Sequence, residues 1–194
     1  MHFEEDYTYH IYNRSNETVF YKQENYYFFL EKLRKYILPY SDILAWCLMP
    51  NHFHLLLSAK PEAAKFINEK HRIHTQVLSK NIGTLLSSYT QAINKQVNRR
   101  GALFAHKTIA KPLNFASNQY AVVCFNYIHQ NPCQLDLVNK PEDWEFSSYK
   151  DYISNRNNSL INIDLAEEIV NFDKENFAEW SKAIADEKLL KGIW

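Results

Sequence analysis

Residues 49–57 read MPNHFHLLL, with His52 and His54 two apart and a phenylalanine between them. On a β-strand, residues i and i+2 point to one side, so the two imidazoles stand together while Phe53 faces the other way. Neutral imidazole is a common ligand for borderline divalent ions. Two ligands do not complete a coordination sphere, and an HxH pair alone is equally two ordinary strand histidines. A third donor and a reacting group are needed. The stretch YIHQN (127–131) offers both, because Tyr127 and Asn131 are four apart and share one face of a helix. His129 and Gln130 lie near them. No charged side chain occurs over 112–135, so this helix is largely buried, where polar groups need partners. Plainer readings are that Asn131 ends the helix before Pro132 and that Tyr127 packs as one of 13 tyrosines. A rival phenol, Tyr89 in LLSSYTQAINKQVNRR, has Ile93 at i+4 and so no ligand one turn on. Tyr127, with Asn131 one turn on, is the better placed of the two phenols.

The elements around these residues follow from periodicity. YTYHIYNRSN (7–16) alternates and is rich in Tyr, Thr and Ile, which predicts a strand. QENYYFFLEKLRKYIL (23–38) repeats apolar residues at helical spacing and stops at Pro39. Residues 42–49 and 52–59 are short apolar runs joined at Pro50–Asn51, which predicts a hairpin. A long helical pattern runs from about 61 to 100, with a break expected near Asn81–Gly83 and Gly101 as its C-cap. A further strand is expected over 102–113. The helix QYAVVCFNYIHQN then follows, with Ser117 as its cap and Pro132 as its stop. RNNS (156–159) reads as a linker, and 164–190 as one or two acidic amphipathic helices. The order strand, helix, strand, strand, helix, strand predicts an α+β fold. It is a ferredoxin-like antiparallel sheet with helices on one face, extended by an acidic helical tail.

Charge is unevenly placed although its sum is zero. Residues 65–111 hold nine lysines and arginines against one acid, Glu69, while residues 136–194 hold thirteen acids. A basic middle is the footprint of a polyanion, or a solvated helix face balanced by the acidic tail. The chain holds 46% hydrophobic and 15% aromatic residues, enough for a sizeable core. Its cysteines, Cys47, Cys124 and Cys133, form no CxxC pair and imply a reducing compartment. The acidic start MHFEEDYTYH lacks a signal-peptide core, and no apolar run reaches membrane-span length. A cytoplasmic protein with no membrane contact is expected. Only three glycines occur and no phosphate loop, so a nucleotide cofactor is not implied.

MPNHFHLLL resembles the HUH motif of the single-tyrosine HUH transposases, which act on single-stranded DNA. YHIYNRSN is similar to that family's first strand, and RRGALFAHKTIAKPL to its Arg-Gly stretch and the strand after it. YIHQNPCQLDLV resembles its YIxxNP helix end, and DWEFSSYKDY a following Trp-Pro-x-Ser-Ser-like segment, with Glu145 where relatives carry proline. The Asn-Pro pair points to the REP-associated branch. The resemblance covers about 7–153. It implies a catalytic domain over 1–153 and a helical extension over 154–194. It also implies His52 and His54 as ligands of Mg2+ or Mn2+, with Asn131 or Gln130 as the third. Tyr127 would be the nucleophile of metal-dependent DNA cleavage and rejoining through a 5′-phosphotyrosine. The implied partner is single-stranded or hairpin DNA, held by Arg14, Lys95, Arg99, Arg100, Lys107 and Lys111, with the protein a monomer or homodimer. The alternative is a hairpin-binding protein that does not cleave.

Overall fold

The computed structural model describes residues 1–67, 74–104, 107–113, 119–154 and 159–182. Its strands are β1 (Thr8–Arg14), β2 (Ser41–Met49), β3 (His52–Ala59) and β4 (Ile109–Pro112). Its helices are α1 (Gln23–Tyr36), α2 (Pro61–Ala64), α3 (Val77–Gln96), α4 (Gln119–Gln134), α5 (Tyr149–Ile153), α6 (Ile163–Val170) and α7 (Phe177–Trp180). The sheet is antiparallel throughout, in the order β2-β3-β1-β4. With α1 and α3 against one face, this is the ferredoxin-like α+β layout that the element order implies.

Period-two alternation sorts the strands between two cores. Tyr9, Ile11, Trp46, Leu48, Phe53, Leu55 and Leu57 face α1 and α3, where Phe29, Leu33, Ile82, Leu85, Tyr89 and Ile93 meet them. Cys47, Met49 and Leu56 face the other way, against α4. A register shift between Ile43 and Ala45 accommodates Leu44, so Leu44 and Ala45 both join this second core. The hairpin tip is strapped down: Val19 and Phe20 donate to the Pro50 carbonyl at 2.8 and 3.2 Å, and Ser15 to that of Asn51 at 2.8 Å. His52 therefore starts a strand whose turn is already held.

α4 crosses the histidine face through Val123, Cys124, Phe125, Tyr127 and Ile128. A latch behind it involves Ser148, whose Oγ accepts from the Trp46 N–H at 2.9 Å and lies 2.8 Å from His129 Nε2. The described part of the acidic extension packs here too. Ile161 bridges to Ile43, Asn162 caps α6 by accepting from the Leu165 N–H at 3.1 Å, and Phe172 and Phe177 sit on Phe125. Its acidity is outward-facing and its aromatics close the second core.

Several expected boundaries move. The helix expected to stop at Pro132 runs on to Gln134 with the proline inside it. Pro132 lacks the N–H that would reach the carbonyl four residues back, and the turn after it closes in a Schellman motif. There Asp136 takes a left-handed φ of 55°, its N–H donates to Cys133, and that of Leu137 donates to Pro132 at 3.0 Å. The pattern over 61–100 splits between Ala64 and Val77 and not at Asn81–Gly83, because Gln76 is drawn into the core, where its side chain bonds both Phe3 backbone groups at 2.7 Å. α3 is closed by left-handed Asn98 rather than Gly101. Among the described residues of the strand expected over 102–113, Ile109–Pro112 form β4, while Leu103 and Phe104 turn into the first core. Ser117, most of the expected linker and residues 183–190 lie outside the described residues. No helix among the described residues is long and apolar enough to cross a membrane.

Phe125 joins α4 to the C-terminal elements. Phe125→Ala should lower unfolding free energy by about 3–5 kcal/mol in urea denaturation. A loss below about 1 kcal/mol would show that this core does not hold α4 in place.

Candidate functional site

His52 and His54 lie on the α4 side of β3, and Tyr127 and Asn131 come down from α4 to meet them. The T-shaped rings of His52 and His54 are 5.1 Å apart, and the Tyr127 ring lies 5.4 Å from that of His54. Asn131 Oδ1 is 3.1 Å from His52 Nε2, and its Nδ2–H donates to the Tyr127 hydroxyl. One amide thus touches both the histidine pair and the phenol. The helical continuation through Pro132 makes this possible, because it keeps Asn131 one turn below Tyr127. These groups line a cleft of about 320 Å3 together with Tyr12, Asn13, Arg14, Gln134 and Leu135.

Burial determines the protonation states. Burial pulls the His52 pKa down, an effect opposed by the Asn131 bond and reinforced by the Arg14 charge. It holds His54 well below its usual range, with His10 and His52 adding to the effect. Both imidazoles are therefore neutral, the state in which a ring nitrogen can be a ligand. Burial pushes the Tyr127 phenol well up, while the Asn131 bond and Arg14 pull the other way.

The donor set suits a divalent cation. His52 Nδ1 lies 2.6 Å from Asn51 Oδ1, so its proton belongs there and Nε2 carries the lone pair. The Nε2 atom lies 3.1 Å from the oxygen of Asn131. Adjacent ligands of an octahedral ion with bonds of about 2.1 Å are about 3 Å apart, which matches this separation. Among the described residues no group of three or more His, Cys, Asp or Glu converges, so a third side-chain donor beside the two histidines would be an amide such as that of Asn131. Two imidazoles and one amide oxygen leave positions open for phosphate oxygens and water.

The other expected residues scatter. Gln130 is not among the residues lining the cleft and donates to the Ser181 carbonyl at 3.0 Å. Tyr89 is in the opposite core, its hydroxyl bonded to the Val19 carbonyl at 2.9 Å. Of the six expected DNA-contacting cations, Arg14 alone lines the cleft. Lys111 pairs with His10 in register and so lies on the histidine side of the edge strand β4. Arg99 is engaged by Glu17, Asn94 and the Ala102 carbonyl. Lys95 lies in the last turn of α3, which packs on the far face, and Arg100 and Lys107 are exposed. Two contributors were not anticipated: Asn51, in the turn itself, and His10, the diagonal cross-strand neighbour of His54. The signal for Asn51 was its place beside the motif; for His10 it was its even position on β1, on the same side as Tyr12 and Arg14.

No family model and no curated relative matches the chain. A solved structure of a REP-associated tyrosine transposase bound to a REP hairpin does, at a TM-score of 0.56 and 15% identity, over 90% of this chain and 93% of that one. The chain shares that transposase's fold. The likeness extends over most of both chains.

His129 carries a separate prediction. Its ring is wholly buried, and burial lowers its pKa to about 3 from an ordinary 6.5. The unfolded chain therefore takes up the proton first. Stability is complete above about pH 6.5 and is lost as the pH falls toward about 3, by about 1.4 kcal/mol per pH unit for this imidazole. Denaturation measured from pH 7 to 4 should show that slope, reduced in His129→Gln. Unchanged stability across the window would contradict it.

Proposed function

We propose that this chain cleaves and rejoins single-stranded DNA at hairpins, in a divalent-metal-dependent reaction in which Tyr127 is the nucleophile. The observation that carries this reading is the single amide of Asn131, which connects the phenol to the histidine pair within one cleft. Hairpin DNA as substrate is supported by the shared fold with the REP-associated tyrosine transposase bound to a REP hairpin.

His52 Nε2, His54 and Asn131 Oδ1 would hold the Mg2+ or Mn2+ ion. When bound, the ion supplies Lewis-acid neutralisation of charge on the scissile phosphate. Arg14 adds a second cation at the cleft. It supports the phosphate electrostatically and lowers the cost of the phenolate. The Asn131 Nδ2–H bond orients the Tyr127 oxygen and stabilises its anionic form. The phenol loses its proton to solvent, its oxygen attacks phosphorus, and the P–O3′ bond breaks. The 3′ oxygen takes up a proton and leaves as a free hydroxyl, with the 5′ phosphate on Tyr127. Attack by a 3′-hydroxyl on that linkage reverses the sequence and reseals DNA. The covalent bond conserves the energy of the phosphodiester, so no nucleotide is consumed.

The free cysteines Cys47, Cys124 and Cys133 support a reducing, cytoplasmic setting. Lys111, on the histidine side, is positioned to extend the contact with the DNA backbone, and binding should weaken steeply with salt.

With Mn2+ and labelled hairpin DNA bearing single-stranded flanks, the protein should form a covalent protein–DNA band. Tyr127→Phe should abolish the band while retaining binding. His52→Ala should reduce cleavage by at least about 100-fold, and Arg14→Gln should weaken binding without removing the band. Binding with no band at any metal concentration would leave a hairpin-binding protein without cleavage.

A further inference from the structure

The two histidines of the HxH pair are not held alike. His52 has its Nδ1 proton fixed by Asn51 Oδ1 at 2.6 Å. His54 faces another imidazole: its Nδ1 lies 2.9 Å from Nε2 of His10. Both rings are almost fully buried, at 1% and 0% exposure, and they stack at 5.1 Å. Two neutral imidazoles meeting nitrogen to nitrogen share one proton between the facing atoms. That proton has two homes with opposite consequences. On His54 Nδ1, it leaves a lone pair on the Nε2 of His54, the form in which an imidazole nitrogen can coordinate. On His10 Nε2, it makes His54 Nδ1 the acceptor and places an N–H on His54 Nε2, which cannot then coordinate anything.

We propose that His10 is the positioning residue that selects the ligand-competent tautomer of His54, by accepting its Nδ1–H at Nε2. His10 does for His54 what Asn51 does for His52. The two holders come from different places, a cross-strand neighbour on β1 and the hairpin turn, yet both leave Nε2 bare. His10 is itself fixed by stacking on Tyr12, with centroids 4.7 Å apart, and by its register opposite Leu56 and Lys111. Partners of this kind orient a ligating imidazole and raise its basicity, and their loss typically costs about 10–100-fold in metal affinity. The ligand half of this inference rests on the metal site proposed above. The tautomer half does not.

The test separates the two. Long-range 1H–15N NMR on metal-free wild-type protein should show His54 protonated at Nδ1 and bare at Nε2. His10→Leu should shift His54 toward the Nε2–H tautomer and weaken Mn2+ binding, followed by EPR, by about 10–100-fold. His10→Gln keeps an acceptor oxygen near the place of Nε2 and should restore both readouts. Thermal unfolding in the absence of metal checks that each variant is folded. If His10→Leu does not fold, the wild-type tautomer and His10→Gln still decide. A His54 found as the Nε2–H tautomer in wild type would overturn the proposal, as would a His10→Leu variant with unchanged tautomer and Mn2+ affinity. The expected tautomer in a protein that binds no Mn2+ would leave His10 as the tautomer partner and refute the metal site alone.

Discussion

The amide of Asn131 is the contact on which the site depends. Its oxygen meets His52 and its N–H meets Tyr127. A sheet and a helix carry the two halves, and this side chain spans them. A buried amide left unpaired costs on the order of 1–3 kcal/mol. The cleft therefore favours the arrangement in which helix and sheet stand at one fixed separation. Moving α4 by one residue along its axis would turn Tyr127 and Asn131 off the histidines by about 100°.

Much of the rest of the structure serves that placement. Ser148 ties β2 to His129 on α4, and Phe172 and Phe177 cover Phe125 from behind. The acidic extension thus braces the helix that carries the phenol, and its charge faces water. On the sheet side the loop between β1 and α1 holds the hairpin tip, and His10 and Asn51 hold the two imidazoles. The histidines are consequently built into the molecule from several directions, which suits groups required to keep fixed orientation and a neutral state.

The β2–β3 hairpin could be read from the sequence because alternation and a Pro-Asn turn are local signals. His52 and His54 sharing a face follows from strand geometry alone. The end of α4 could not be read that way. The rule that a helix stops before proline is local, whereas the packing that carries α4 through Pro132 comes from Phe125, the C-terminal aromatics and a turn closed at Asp136. His10 was hidden for a related reason: its relation to His54 exists only once β1 pairs with β3. Charge was the least informative signal. It grouped Lys95, Arg99 and Arg100 with Arg14, but charge does not reveal which side of a sheet a residue occupies, and only Arg14 lines the cleft.

The account stands or falls on which atom carries the DNA. The most direct measurement is peptide mass spectrometry of the protein–DNA adduct formed with Mn2+, locating the residue that bears the 5′ phosphate. The account predicts Tyr127. A phosphate on Tyr12, Tyr89 or any serine would contradict it.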